Sequence, residues 1–201
     1  MNSRKNFLEY YQRNLVFKDE ALREASQATG VSVISNEIGE FISFYLNNKD
    51  IYEVVEIGSG YGYSTKFLHI LLPEARIHSV ERYFPRYERA REYLVSERVE
   101  FFNMSGEDYL AKRKEKIDLL FLDGSKPHYV HFLEAALPLM DRGAILLADN
   151  IFGRGLSYEE EVDKRHRTMQ RRIREFLDLA FEEFHASLLP IDDGLFIGEK
   201  L

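Results

Sequence analysis

Two stretches of the chain end an apolar run in acid. In "FLDGSKPHY", residues 121–129, the run stops at Asp123, and Lys126 follows three residues on. In "LLADNIFGRG", residues 146–155, it stops at Asp149 and Asn150. A carboxylate at the end of a buried strand needs a partner, because removing an unpaired charge from water is costly. If the two strands are neighbours, Asp123, Asp149 and Asn150 converge. Two carboxylates and an amide carbonyl are hard oxygen ligands. They suit Mg²⁺, with Mn²⁺ or Ca²⁺ as alternatives, and leave positions open for water or substrate. A set without His or Cys does not suit Zn²⁺. Singly, each residue also has a plainer reading: Asp123 caps the next helix, Lys126 is solvated, and Asp149-Asn150 make a turn.

A second constellation lies upstream. "EVVEIGSGYGYSTKFL" reads as strand, glycine loop, helix. Gly58, Gly60 and Gly62 let the backbone turn tightly and approach a ligand. The helix start offers free N–H groups to an anion or carboxylate, and Ser64 is expected to touch a cofactor carboxylate there. Glu81 ends the next strand, where a carboxylate can accept hydrogen bonds from both ribose hydroxyls. The bland alternative is a tight turn with no ligand. The rival ligand is a dinucleotide, whose fingerprint is G-x-G-x-x-G. Here the spacing is G-x-G-x-G with Glu56 two residues upstream, which favours S-adenosylmethionine. Adenine recognition is assigned by position to Ser105 and Gly106, after the third strand. Lys126 would then lie near both a metal and a sulfonium. Neighbouring positive charge lowers a lysine's pKa, so it could take a proton from a substrate hydroxyl. His128 and His131 read as helix-surface residues, since no third ligand stands at fitting spacing. Ser64 has no nucleophile elbow around it.

These residues must be carried by a repeating pattern. Short apolar runs at "YEVVEIG", "RIHSVE", "VEFFN", "IDLLFLD" and "GAILLAD" alternate with helical segments. Alternation of this kind predicts a doubly wound, Rossmann-like α/β fold with a mostly parallel sheet of seven strands. Ligands in such sheets sit beyond the carboxyl ends of the strands. The last two strands, around a turn at Asp192-Asp193-Gly194, predict an antiparallel edge pair. Before the sheet, residues 4–28, with Phe7, Leu8, Tyr11 and Leu15, read as one or two helices. Ser35 reads as the N-cap of an amphipathic helix. The expected division is a single domain, 1–201, with an N-terminal helical cap over 1–48 and the core over 49–201. A helix is expected over roughly 160–183.

The chain has 201 residues, enough for one sizeable core, and is 45% hydrophobic and 30% charged. It lacks cysteine, which excludes disulfides, thiolate metal sites and a cysteine nucleophile. No apolar run approaches a membrane span and the first residues carry no secretory pattern, so a cytoplasmic protein is expected. A net charge of −7 argues against indiscriminate nucleic-acid binding but says nothing about local patches. Charge density without Cys or Trp leans towards a thermophile.

Together the motifs resemble the catechol-type, cation-dependent O-methyltransferases. They are E-x-G-x-G-x-G-Y-S over Glu56–Ser64, Glu81, L-D-x-x-K over Asp123–Lys126, and D-N-x-x-x-x-G over Asp149–Gly155. The resemblance spans roughly residues 30–200. It implies that Asp123, Asp149 and Asn150 hold the metal and that Lys126 is the base. It also implies that the glycine loop and Glu81 hold S-adenosylmethionine, with the segment "GVSVI", including Val33, lying over it. By that analogy a metal-chelated hydroxyl loses its proton to Lys126 and attacks the sulfonium methyl in line. Relatives are commonly dimers, so a homodimer is expected.

Two regions bear on the acceptor. "IFGRG", with Arg154, should border its pocket. "DKRHRTMQRRIREFL" concentrates Lys164, Arg165, Arg167, Arg171, Arg172 and Arg174. Either this is a solvated helix paired with the acids at 159–161, or it binds phosphate beside the active site. Its pattern, followed by L-L-P-I-x-D-G, is similar to the bacterial tRNA 5-hydroxyuridine methyltransferases. That implies 5-hydroxyuridine at the tRNA wobble position as acceptor, whose O5 beside O4 chelates a metal much as a catechol does. Asp192, and Gly124-Ser125, depart from that pattern. The alternative acceptor is a small catechol, hydroxycinnamoyl or flavonoid-like phenol. Phe152, Tyr129 and Tyr158 would suit either. An alternative of another class is a non-catalytic S-adenosylmethionine-binding module, against which the intact Asp-Asp-Asn-Lys set argues.

Overall fold

Each apolar run becomes a strand. A computed structural model describes residues 15, 17–159 and 162–201. In it the strands are β1 (Glu53–Ile57), β2 (Arg76–Val80), β3 (Val99–Phe102), β4 (Leu119–Leu122), β5 (Ile145–Ala148), β6 (Phe184–Leu189) and β7 (Leu195–Lys200). They form one seven-stranded sheet in the order β3-β2-β1-β4-β5-β7-β6. β1 to β5 are parallel; β7 inserts antiparallel between β5 and β6, which is the expected antiparallel pair. Every residue of β4 and β5 is buried, as a strand covered on both faces requires.

The helices are α1 (Glu20–Gln27), α2 (Asn36–Leu46), α3 (Tyr63–Leu71), α4 (Phe84–Tyr93), α5 (Gly106–Lys112), α6 (Tyr129–Ala136) and α7 (Arg167–Glu183). Ser35 caps α2 as expected, its side chain accepting from the Ile38 N–H. One core packs Ile38, Ile42, Phe67 and Leu68 against one sheet face. The other packs Tyr109, Tyr129, Leu133 and Phe176 against the opposite face. Each such buried side chain contributes about 1.5–3 kcal/mol. Among the described residues no helix is long and apolar enough to cross a membrane.

Register does the positioning. Ile57 pairs with Val80 and Leu122, and Leu122 pairs with Ala148. The residues one step beyond, Gly58, Glu81, Asp123 and Asp149, therefore leave the sheet side by side along its carboxyl edge. The Asp123 N–H donates to the Ile57 carbonyl at 3.0 Å, and the Asp149 N–H to the Leu122 carbonyl at 2.9 Å.

One boundary differs from expectation, and two further helices end for local reasons. α7 starts at Arg167, and residues 164–166 form a turn closed by the His166 N–H on the Asp163 carbonyl, 2.8 Å. Lys164 and Arg165 are thus on a turn. α4 stops at Tyr93 because Leu94 takes an extended backbone and Val95, 89% exposed, has nothing to pack on. α6 is flanked by 3₁₀ turns at Lys126–His128 and Leu137–Leu139. Pro138 lacks the N–H that an α-helix would need there. The helix expected from Phe7, Leu8 and Tyr11 lies outside the described residues.

Candidate active site

The glycine loop wraps one end of a cavity of about 320 Å³. Gly58, Gly60 and Gly62 have φ of +106°, +54° and +86°, a region that side chains disfavour. Gly58 has a second reason to be glycine: a Cβ there would lie 2.6 Å from the Asp123 carbonyl oxygen and 2.7 Å from the Gly124 Cα. β1 and β4 thus touch backbone to backbone at the sheet's switch point. Glu81 lines the cavity, and its carboxylate is aimed by two backbone donors, Gly60 N at 3.1 Å and Tyr83 N at 2.8 Å. A carboxylate has about four acceptor positions, so two remain for ribose hydroxyls. Gly30, Val31 and Ser32 form the opposite wall. Val31 lies over Gly60, whose Cβ would meet its Cγ1 at 2.8 Å.

Several expected cofactor residues stand elsewhere. Val33 does not line the cavity; it packs against the α2–α3 core, because one residue of offset turns a side chain to the other face. Gly62 packs on Ala90. Glu56 and Ser64 are buried beneath the loop, outside the cavity wall. Burial pushes the Glu56 carboxyl up, and the Ser64, Ser79 and Thr65 hydroxyls pull it back. Its Oε1 and the Ser59 hydroxyl are buried without a hydrogen-bond partner among the described residues. Neither atom lines the cavity, so its fit to S-adenosylmethionine rests on Glu81 and the glycine backbone. Ser105 and Gly106 do line the cavity, at the start of α5. A Cβ on Gly106 would meet Ile57 and Phe132 at 2.7 Å.

The acid–amide–lysine set stands at the same edge. Asp123, Lys126 and Asn150 line the cavity together, and Lys126 Nζ lies 3.5 Å from Asn150 Oδ1. Asp149 is behind this wall, 2% exposed, with Oδ1 accepting from the Asn150 N–H at 2.7 Å. Asn150 is left-handed, φ +53°. Burial, then the Asp149 charge, holds the Asp123 carboxyl well above the usual range, and burial also raises Asp149. Lys126 opposes both shifts. Two crowded carboxylates facing a single ammonium fit a divalent cation, and oxygen donors fit Mg²⁺. Among the described residues no group of three or more His, Cys, Asp or Glu is placed to hold a metal.

A second cavity, about 860 Å³, opens from Lys126 and Asn150. Arg154, His166, Met169, Asp192 and Asp193 continue its wall. The 150–155 loop is tied to the β6–β7 turn: Ile151 N donates to Gly194 O, Phe152 N to Asp193 O, and Arg154 N to Asp193 Oδ1 at 2.8 Å. Of the arginines expected to bear on the acceptor, Arg154 stands in this wall. Arg165 pairs with Asp163, and Arg171 and Arg172 both pair with Glu175. Arg174 donates to the carbonyls of Ser157 and Glu159.

The aromatic residues divide the same way. Phe152 lies on Gly194 and against Tyr158, outside the cavity wall. Tyr129 is wholly buried, and its hydroxyl faces the Leu122 and Asp149 carbonyls at 3.1 and 3.3 Å. It is a brace between two strand ends rather than a pocket residue. Sequence reasoning also missed Arg82, Arg86, Glu107 and Phe132 in the cofactor cavity wall. Arg82 adjoins Glu81 in sequence, which could have drawn attention to it. His131 is at the surface beside Glu134, as expected, but His128 lines the cavity and contacts Glu107 at 2.7 Å.

Comparison with known proteins bears on this geometry. A family model described as O-methyltransferase matches residues 5–201. Tapetum-specific methyltransferase 1 of Arabidopsis thaliana is 28% identical over 202 residues, covering 90% of this chain and 87% of its own. A catechol O-methyltransferase of Mycobacterium tuberculosis is 30% identical over 165 residues, 76% of this chain and 74% of its own. The crystal structure of an O-methyltransferase from Bacillus cereus in complex with SAH shares the fold, with a TM-score of 0.83 at 23% identity over 96% of each chain. With a family match over nearly its whole length and a fold whose cavity suits the methyl donor, this chain belongs to the O-methyltransferase family and is an S-adenosylmethionine-dependent O-methyltransferase.

Proposed function

We propose that the chain O-methylates 5-hydroxyuridine at the wobble position of tRNA, using a divalent cation held by Asp123, Asp149 and Asn150. Mg²⁺ is the first choice by donor type. The observation that carries this reading is the cavity of about 860 Å³ that starts at Lys126 and Asn150 and takes Arg154 and His166 into its wall. Small-molecule sites run from about 300 to 1,000 Å³, so this one stands near the upper end. It offers a nucleotide room, and Arg154 offers a phosphate a guanidinium beside the Asp192 and Asp193 carboxylates.

S-adenosylmethionine supplies an electrophilic methyl group, and a bound divalent cation would make one of two adjacent acceptor oxygens acidic. The chain's own side chains do the rest. Glu81, aimed by Gly60 and Tyr83, accepts ribose hydroxyls and fixes the donor's position. Val31 covers the loop and keeps water from it. Lys126 stands at the junction of the two cavities, where it takes the proton from the acceptor hydroxyl. Holding donor and acceptor in adjoining cavities turns a bimolecular encounter into a local one.

A small catechol is the second reading, favoured by the name of the Mycobacterium tuberculosis relative. The two are separated by offering labelled S-adenosylmethionine and Mg²⁺ with tRNA bearing 5-hydroxyuridine, or with a catechol, with and without EDTA. Label in the tRNA alone, abolished by EDTA, is the expected result. Label in the catechol alone moves the enzyme to small-molecule metabolism. Transfer that survives EDTA refutes the cation.

A further inference from the structure

α4 packs against the sheet through a single buried residue, Ala90. Around it the sequence "RYFPRYERAREY", residues 82–93, alternates arginine with aromatic rings. Tyr83 and Phe84 are more than half exposed. A helix so little used in packing is free to choose its surface for another purpose. Guanidiniums lie over the rings: Arg86 is 5.6 Å from the Tyr83 centroid and Arg91 is 5.4 Å from that of Tyr87. Of the arginines at 82, 86, 89 and 91, Arg89 has a carboxylate partner, Glu92 at 2.8 Å, and Arg91 donates to the Tyr87 hydroxyl at 3.1 Å; among the described residues Arg82, Arg86 and Arg91 meet no carboxylate.

α7 is the weaker candidate. Glu175 meets both Arg171 and Arg172, and backbone carbonyls hold Arg174, which leaves Arg167 as its arginine without a partner among the described residues. Beside and on α4, Arg82, Arg86 and Arg91 meet no carboxylate, in a chain of net charge −7. They also adjoin the reaction, since Arg82 and Arg86 line the cofactor cavity beside Glu81. Free guanidiniums complement phosphate oxygens, and exposed rings and guanidinium planes stack unpaired bases. Charge and ring chemistry together match single-stranded or looped RNA.

We propose that the exposed face of α4 and the two residues before it form an RNA-contact surface, with Arg82, Arg86 and Arg91 engaging phosphates and Tyr83 and Phe84 stacking bases. This assignment rests on the RNA acceptor proposed above. The test uses Arg91→Glu and the double variant Arg91→Glu/Phe84→Ala, with Arg91→Lys as the variant that keeps the charge. Binding of an anticodon stem-loop bearing 5-hydroxyuridine is measured by fluorescence anisotropy across a salt series. Turnover is measured on that RNA and on the 5-hydroxyuridine nucleoside, and S-adenosylmethionine binding by calorimetry. The expected result is a KM for the RNA raised roughly tenfold in the double variant, with kcat, nucleoside turnover and donor binding unchanged. The salt slope falls by about one per lost phosphate contact, and Arg91→Lys retains most of the binding. An unchanged RNA KM in a double variant that still binds donor overturns the α4 surface and leaves the RNA acceptor standing. A wild-type protein that binds the RNA without methylating it, with binding lost in the variant, refutes the acceptor and keeps the surface. A wild-type protein that neither binds nor methylates the RNA overturns both.

Discussion

Replacing Tyr129 with phenylalanine removes one buried hydroxyl and almost no volume. That hydroxyl faces two carbonyls, Leu122 at 3.1 Å and Asp149 at 3.3 Å, at the ends of β4 and β5. The Leu122 carbonyl keeps the Asp149 N–H as a donor, but the Asp149 carbonyl has no other backbone donor among the described residues. One hydrogen bond is lost and one buried acceptor is left bare, which costs about 1–2 kcal/mol. No cavity contribution is added, because the ring stays. The second consequence is functional. Asp149 and Asn150 hang from the carbonyl that the hydroxyl braces. Partners that orient metal ligands typically change metal affinity about 10–100-fold when removed. Urea unfolding and Mg²⁺ titration of methyl transfer check the two parts separately. Tyr129→Phe is expected to lower stability by that amount and raise the Mg²⁺ concentration for half-maximal activity at least tenfold. Unchanged stability together with an unchanged Mg²⁺ requirement would refute the brace.

Gly58→Ala must place a methyl group 2.6 Å from the Asp123 carbonyl oxygen at φ +106°; overpacking and backbone strain together should cost about 2–5 kcal/mol, read by urea unfolding. Lys126→Met is expected to lower turnover about 10²–10⁴-fold while donor affinity, measured by calorimetry, falls far less, since the proposed base is lost and Glu81 and the glycine loop remain to hold the donor. Glu56 predicts a pH effect. Burial raises its carboxyl above the ordinary 4.5, so the folded state holds that proton more tightly than the unfolded chain does. The stability this gives is complete below the unfolded pKa and is lost as pH rises through the folded one. Glu56→Gln removes the dependence, so it should gain on wild type between pH 4 and pH 8 in paired urea titrations; parallel curves would contradict this.

The local patterns needed no structure. Alternating apolar runs give buried strands and glycines without Cβ give the tight loop, because both are properties of neighbouring residues. The identities of Asp123, Lys126, Asp149 and Asn150 as one set could be read from their places at strand ends. Their meeting in space needed the register that pairs Ile57 with Leu122 and Leu122 with Ala148. Facing was beyond the sequence as well. Val31 rather than Val33 covers the loop, since an irregular segment has no period from which to infer which side chain turns inward. Tyr129 looked like a pocket aromatic and is a buried brace, because its partners lie 7 and 20 residues away in the chain. Which arginines are free was likewise a tertiary outcome. On α7, Glu175 meets Arg171 and Arg172 and carbonyls of the 157–159 loop hold Arg174, while α4, with one residue buried, leaves Arg91 exposed and without a carboxylate partner among the described residues. Charge counts along a sequence cannot show this, because a guanidinium is spent or available only according to what the fold sets beside it.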